Sequence, residues 1–444
     1  MDTIFAQCTA PGKSGVAIFR ISGPKSLYIA LLLCRRDHMK DRHTYYATIY
    51  SQENDIIDKV LMTYFASPKS FTGEDCVEIN IHGSIAIAKL LTKELLAHDN
   101  VRLADPGEFT RRAFLNNKMD LTEVEGMIDL INAETSMQQR QAIAQMNGAL
   151  ANLYASWRKD LIKIMALIEA YIDFPEEDIP EEVVIQAEAN VKNIRDSIKS
   201  HLNDNKRGEI LRAGIKMIIF GPPNVGKSSL INYLMKREIA IVSDVAGTTR
   251  DVLEAHLDIG GFPIILKDTA GIRYNSSDLI ENKGIEKALL AANEANIKIF
   301  MLDVLSLENL NSVDARLVDL IDENTLILVN KIDLKAPSAN QFQERDIVAI
   351  SLNGKINLQA LLKHIETMAA KISAPTHIPA ITQERYRINL AKAVDSLDKF
   401  SLSKDLVLSA EDIRFAVSKL EFITGKIEVD EILGEIFSNF CVGK

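Results

Sequence analysis

Apolar and polar positions alternate through the N-terminal part of the chain. Val77, Ile79 and Ile81 are separated by Glu78 and Asn80, the period of a strand with one buried face. Gly15-Val16-Ala17-Ile18-Phe19-Arg20-Ile21 reads as another strand, bounded by Pro11-Gly12 and Ser22-Gly23-Pro24. Ile85 to Ala97 reads as a helix. This mixture predicts an α+β domain over residues 1–117.

The period then becomes helical over residues 118–211. Leu121, Val124, Ile128 and Ile131 fall on one helix face, and Thr122-x-x-Glu125 predicts a capping box near its start. Leu161, Ile164, Met165 and Ile168 mark a second helix. Glu181 to Lys199 reads as another, after an acidic turn flanked by Pro175 and Pro180. These stripes read as core packing. Residues 212–373 alternate strand and helix, which implies a parallel sheet with right-handed crossovers. Pro375 and Pro379 mark a boundary that opens residues 374–444, and from about Gln383 the sequence is helical again. There Ser409-x-x-Asp412 is a candidate cap, and Leu433, Ile436 and Phe440 form a last apolar stripe. Two helical stretches around an α/β segment predict one discontinuous helical domain with an inserted domain. The fold class is multidomain α/β.

Length and composition narrow this reading. At about 100–200 residues per domain, 444 residues suggest two to four domains. Hydrophobic residues at 47% and charged residues at 25% fit a soluble globular protein. No apolar run reaches the roughly 18 residues that would span a bilayer, and Met1-Asp2-Thr3-Ile4-Phe5 does not read as a signal peptide. Cys8, Cys34, Cys76 and Cys441 lie far apart with no C-x-x-C pair, which argues against a disulfide framework or a zinc site. A reduced, cytoplasmic protein without a membrane partner is expected. A net charge of −10 repels polyanions on average, so nucleic acid would need a local basic patch or a partner subunit.

The sharpest chemistry lies in the α/β segment. Strand candidate Ile215 to Phe220 runs into Gly221-Pro222-Pro223-Asn224-Val225-Gly226-Lys227-Ser228 and then a helix. In G-x-x-x-x-G-K-S the glycines let backbone N–H groups wrap phosphates, and the helix N-terminus adds positive potential. Lys227 would reach the β- and γ-phosphates, and the Ser228 hydroxyl would bind Mg²⁺. Leu266-Lys267 leads into Asp268-Thr269-Ala270-Gly271, where Asp268 would hold the Mg²⁺ shell and the Gly271 N–H would sense the γ-phosphate. Gly247-Thr248-Thr249-Arg250-Asp251 offers a switch threonine. A third strand, Ile327-Leu328-Val329, leads into Asn330-Lys331-Ile332-Asp333. The Asp333 carboxylate can accept two hydrogen bonds from guanine N1 and N2, and adenine offers no such pair. Ala349-Ile350-Ser351-Leu352 sits where GTPases place a Ser-Ala-Lys guanine loop, from which Leu352 departs. Ile272 follows Gly271, where many regulatory GTPases carry a water-orienting glutamine. Catalysis therefore needs another residue, a partner or a cation.

The set Gly-Pro-Pro-Asn-Val-Gly-Lys-Ser-Ser, Gly-Thr-Thr-Arg-Asp and Asp-Thr-Ala-Gly-Ile-Arg resembles the translation-factor-related GTPases. The whole chain resembles the MnmE (TrmE) family of tRNA modification GTPases. The matching segments are Asp2-Thr3-Ile4, Arg20-Ile21-Ser22-Gly23, Ser70-Phe71-Thr72-Gly73-Glu74-Asp75, Pro106-Gly107-Glu108-Phe109-Thr110, Lys118-Met119-Asp120-Leu121 and the closing Cys441-Val442-Gly443-Lys444.

That resemblance implies a tetrahydrofolate-binding, dimerising N-terminal domain (1–117), a helical domain in two parts (118–211 and 374–444) and an inserted G domain (212–373). It implies a homodimer that joins a FAD-dependent MnmG subunit in a heterotetramer. Together they would install an aminomethyl or carboxymethylaminomethyl group at C5 of the wobble uridine of certain tRNAs. It extends the GTP site to Ser229 and to Ser243-Asp244-Val245-Ala246-Gly247-Thr248-Thr249. K⁺ would be held by Asn224 and the carbonyls of Ser243 and Val245, with Thr248 nearby, and Thr249 would join Ser228 on Mg²⁺. Glu281 matches the water-orienting glutamate, on a spacing from D-x-x-G one residue shorter than expected. Arg20, Glu78, Lys118 and Lys444 match contacts to a reduced folate, 5-formyl- or methylene-tetrahydrofolate. The three cations suit its anionic glutamate tail, and Glu78 suits the pterin. Cys441 reads either as a thiol near the transferred one-carbon unit or as a merely terminal cysteine. A GTP-dependent ribosome-assembly switch is the competing function, because a G domain alone does not separate the two.

Overall fold

The alternating N-terminal segments pair into a six-stranded sheet. Its elements in chain order are β1 (Thr3–Gln7), β2 (Ser14–Ser22), α1 (Ser26–Cys34), β3 (Thr44–Tyr50), β4 (Ile56–Phe65), β5 (Cys76–Gly83), α2 (Ile85–Leu96), β6 (Val101–Leu103), α3 (Glu108–Leu115) and α4 (Leu121–Ile131). The computed structural model describes residues 2–173, 181–236, 254–267, 290–309, 313–373, 378–402, 405–426, 433–434, 436–437, 440 and 443. Two units divide the chain: Met1–Ile128 with Ala151–Arg158 and Val417–Lys444, and Asp129–Leu150 with Lys159–Ala416.

In the first unit the strands run β3-β4-β5-β2-β1-β6. All pairs are antiparallel except β1 with β6. Period two sorts the faces. Phe19, Ile21, Val77 and Ile79 pack with Ile29 and Leu33 of α1 and Leu91 and Leu95 of α2. The intervening Arg20 and Glu78 point to the other face, where they stand directly opposite each other in register. Ile4, Ala6, Ala104 and Phe109 are buried in a separate cluster with Phe71 at its margin.

An ionic brace holds the turn before α3. Arg112 donates to Asp2, Glu74 and Glu108, and Arg102 donates to Asp2 and Glu108. Burial raises the Glu108 pKa, but the hydrogen bonds from Arg102, the Asp105 amide and Arg112 outweigh it and leave the carboxyl below its ordinary value. The resembling segments around Glu74 and Glu108 thus include residues that hold the fold. Gly107 has φ +69°, and a Cβ there would lie 2.5 Å from the Phe437 carbonyl oxygen. Only glycine fits that turn.

The start of α4 corrects the predicted capping box. Asp120 is the cap: its Oδ1 accepts from the Glu123 amide at 3.0 Å, and Glu123 Oε2 accepts from the Asp120 amide at 2.7 Å. Thr122 spends its hydroxyl on the same Asp120 carboxylate. The box sits two residues earlier because a carboxylate at Asp120 outcompetes a hydroxyl inside the first turn. Leu121 and Val124 are buried against Leu433, Ile436, Phe437 and Phe440, whereas Ile131 is 42% exposed and leaves the predicted stripe.

The second unit contains α5 (Ser136–Met146), α6 (Ala149–Asp173), α7 (Glu181–Leu202), α8 (Arg207–Ala213), β7 (Ile215–Phe220), α9 (Lys227–Lys236), β8 (Glu254–Ile259), β9 (Phe262–Lys267), β10 (Ile297–Asp303), α10 (Val304–Glu308), α11 (Ala315–Val318), β11 (Thr325–Asn330), β12 (Gln341–Phe342), β13 (Arg345–Ala349), α12 (Leu358–Ser373), α13 (Glu384–Leu397) and α14 (Leu406–Thr424). Part of α6 and the end of α14 belong to the first unit. Ser409 lies inside α14 and bonds back to the Ser401 and Asp405 carbonyls. Asp405, which accepts from the Val407 amide, takes the capping role predicted for Ser409.

The seven strands run β12-β13-β11-β10-β7-β9-β8. The five inner strands are parallel, and the central β7, β10 and β11 are near-continuous apolar runs, as cover on both faces requires. The order reverses at β7: the chain goes first to β8 and β9 on one side, then returns to β10 on the other. Ligands of open parallel sheets bind at the carboxyl ends of strands at such a reversal. Among the described residues no helix is long and apolar enough to cross a membrane.

Candidate functional site

The loop after β7 leaves the sheet through a glycine that nothing else could replace. Gly221 has φ +146°, and a Cβ on it would stand 2.1 Å from the Met301 carbonyl oxygen of β10. Asn224 turns the chain at φ +63°, Val225 is fully buried, and Gly226 follows at φ +110°. A Cβ on Gly226 would meet Asn330 Nδ2 at 2.5 Å. Lys227 then opens α9. Its Nζ donates to the carbonyls of Gly221 at 2.9 Å and Pro222 at 2.6 Å, so the side chain spans the loop. Ser228 and Ser229 are exposed in the first turn of α9, where unpaired amides and the helix dipole favour an anion.

The second half of the site is tied to this loop through Asn330. At the end of β11 it is 4% exposed. Its Nδ2 donates to the Val225 carbonyl at 2.9 Å, and its Oδ1 accepts from the Leu352 amide at 3.2 Å. One buried amide side chain therefore joins the phosphate loop to the loop after β13. Leu352 contributes a backbone N–H there, so the missing Ser-Ala-Lys side chains do not unmake the turn. Ser351 donates to Asp333 Oδ1 and receives the Gly354 amide at 2.8 Å, which orients the exposed Asp333 carboxylate.

Lys331 adopts φ +64° and donates to the Asn224 carbonyl at 2.8 Å and to Asp303 Oδ2 at 2.7 Å. Asp303 is buried at the end of β10. Burial works against its charge, yet Lys331 and the Ser306 amide and hydroxyl hold its carboxyl below the ordinary value. Sequence reasoning missed Asp303. An aspartate closing the apolar run Ile297–Asp303, in register with Asn330 of the next strand, is the signal that could have found it. Ser243 to Thr249, Asp268 to Gly271 and Glu281 lie outside the described residues.

A second candidate site lies in the first unit. A cavity of about 430 Å³ is lined by Arg20, Arg42, Phe65, Lys69, Ser70, Phe71, Cys76, Glu78 and Lys118. Arg20 Nη2 is 2.8 Å from Glu78 Oε1, and its guanidinium lies 4.7 Å from the Phe71 ring centroid and 5.6 Å from that of Phe109. Stacking and pairing fix this arginine as a partly buried group. Lys118 Nζ donates to the Pro68 carbonyl at 2.9 Å. The fold thus brings Arg20, Glu78 and Lys118 to one cavity, adds Phe71 from a resembling segment, and adds Arg42, Phe65 and Lys69, which no sequence motif singled out. Lys444 and Cys441 lie outside the described residues; Gly443, between them, packs on the Gln7 carbonyl and Cys8 at the end of β1.

Residues 3–118 match the family model described as GTP-binding protein TrmE N-terminus, and residues 121–441 match the MnmE helical domain. The tRNA modification GTPase MnmE of Rickettsia typhi is 54% identical over 447 residues, covering all of both chains. The tRNA modification GTPase MnmE of Rickettsia canadensis is 53% identical, again over all of both chains. The chain belongs to the MnmE family of tRNA modification GTPases. Among solved structures, the G domain of the T. maritima FeoB iron transporter is 23% identical over 35% of this chain and 98% of that chain, with a TM-score of 0.24.

MnmE-family membership and the loop geometry agree on a GTP-hydrolysing enzyme. The parallel sheet with its phosphate loop has the P-loop GTPase fold that goes with GTP and Mg²⁺. The backbone around Val225 and Gly226 is pinned by Asn330, and Lys227 and Ser228 stand beside it in the first turn of α9.

Proposed function

We propose that this chain is a K⁺-dependent GTPase that works with a FAD-dependent MnmG partner. Its substrate is tRNA, and the product carries an aminomethyl or carboxymethylaminomethyl group at C5 of the wobble uridine. Full-length identity to curated tRNA modification GTPases carries this reading. The organisation that goes with it is a folate-binding, dimerising domain over 1–117, a helical domain over 118–211 and 374–444, and a G domain over 212–373.

Each residue has a physical task. Lys227 exchanges its two loop carbonyls for β- and γ-phosphate oxygens, a stronger charge-assisted contact. Ser228, Thr249 and Asp268 would hold Mg²⁺, which would supply positive charge against the β- and γ-phosphates. Asn224 is exposed at a positive φ on the outer turn of the loop, which suits a side-chain oxygen ligand for K⁺ beside the phosphates. Ser243, Val245 and Thr248 complete that cation site. Ile272 cannot orient water, so Glu281 takes that role. The N-terminal cavity suits a reduced folate, the one-carbon donor: Phe65 and Phe71 offer apolar walls, Glu78 accepts from a pterin, and the cations meet carboxylates. Lys444 joins them, and Cys441 stays a candidate thiol.

The test is nucleoside analysis by mass spectrometry of tRNA from cells of the source organism lacking this chain. Loss of the C5-substituted wobble uridine is expected, restored by the wild type and not by Lys227→Ala. Unchanged wobble uridine together with defective ribosomal subunits would replace this reading with the ribosome-assembly one.

A further inference from the structure

The charges around the N-terminal cavity are unevenly distributed. On its floor, Arg20 is neutralised by Glu78 across β2 and β5, with both side chains largely covered. At its rim, three exposed cations converge on one loop. Lys118 Nζ donates to the Pro68 carbonyl, Arg42 Nη2 donates to the Lys69 carbonyl, and Lys69 itself lines the opening. Arg42 is anchored because its amide bonds the Tyr64 carbonyl and its guanidinium lies 5.8 Å from the Phe65 ring centroid. The carboxylate at this rim is Asp41, 3.8 Å from Arg42. Among the described residues no carboxylate lies within ion-pair distance of Lys69 or Lys118. The rim thus carries an excess of two positive charges, on a protein whose net charge is −10.

We propose that this rim is a subsite for a chain of carboxylates attached to the ligand on the floor. Resting on the folate reading above, it selects poly-γ-glutamylated folates over the monoglutamate. A single glutamate brings two carboxylates close to the ligand's ring system. Each further γ-linked residue adds one carboxylate farther out, where Arg42, Lys69 and Lys118 stand. Arginine and lysine at an exposed rim attract such a tail through charge, so the preference weakens as salt screens it.

Calorimetric titration of the full chain with 5-formyl-tetrahydrofolate and with its triglutamate tests this. The triglutamate is expected to bind at least about tenfold more tightly at low salt, with the ratio falling as salt rises. Arg42→Gln with Lys69→Gln should reduce the ratio to about one, whereas Arg42→Lys with Lys69→Arg should keep most of it, separating lost charge from lost folding. Equal affinity of the wild type for the two forms overturns the subsite and leaves the folate reading standing. No binding of either form overturns the folate reading and the subsite with it.

Discussion

Asp303 places one carboxylate oxygen 2.7 Å from the Lys331 ammonium while the other caps α10 through the Ser306 amide and hydroxyl. Lys331 in turn bonds the Asn224 carbonyl of the phosphate loop. Asp303 therefore sets the position of the lysine of Asn330-Lys331-Ile332-Asp333 without lying in that motif. Asp303→Asn should keep the cap and lose the ionic partner. About tenfold weaker GTP and GDP binding is expected, with turnover at saturating GTP nearly unchanged, on the scale of one charged hydrogen bond. Titration with a fluorescent GDP analogue, beside kcat and KM, checks the split.

Gly226→Ala should abolish nucleotide binding. The added methyl lies 2.5 Å from Asn330 Nδ2 and must adopt φ +110°. Either the loop moves or Asn330 gives up Val225. Gly15→Ala, whose Cβ meets nothing within 4 Å, is the control and should melt and bind as the wild type does. Equal GTP affinity in the two variants would contradict the stapled loop.

His201 gives the second unit a pH-dependent stability. Burial lowers its pKa from 6.5 to about 4, with Arg387 and Arg207 pushing the same way and Asp204 opposing. The unfolded chain takes up a proton below pH 6.5 that the folded one refuses until about pH 4. Stability is fully present above pH 6.5 and is lost through that window, by about 3 kcal/mol in all. Depressed carboxyls such as Glu108 and Asp303 lose their contribution at still lower pH. Denaturant melts from pH 7 to pH 4 should show the slope, and His201→Gln should flatten it.

Glu281→Ala should remove most GTP turnover while leaving GTP affinity within about threefold, since a water-orienting carboxylate acts mainly in the transition state. Loss of affinity with turnover intact would remove Glu281 from the reaction. Single-turnover hydrolysis beside a binding titration reads both.

Much of this was legible in the chain itself. The phosphate loop follows from its glycines, because their backbone angles are local properties of the sequence. β7, β9 and β11 follow from apolar runs that only a twice-covered sheet accommodates. Caps were less legible. Thr122 and Ser409 look like N-caps by spacing, but Asp120 and Asp405 stand nearby and accept the amides better. Least legible were contacts made across the fold. Asp303 lies 28 residues from Lys331, and Arg42 lies 27 from the Lys69 carbonyl it bonds. Sheet order and loop closure create those pairs, and no local pattern encodes them.

On the proposed reading the chain is a guanine-specific GTPase in which a bound K⁺ supplies positive charge beside the phosphates while Glu281 orients the water. GTP hydrolysis by the purified chain, measured in K⁺ and in Na⁺ with ATP as control, tests it most directly. GTP should turn over at least about tenfold faster in K⁺ than in Na⁺, with ATP untouched, as one lost source of transition-state charge stabilisation would produce. Equal rates in the two salts, or hydrolysis of ATP as fast as GTP, would contradict it.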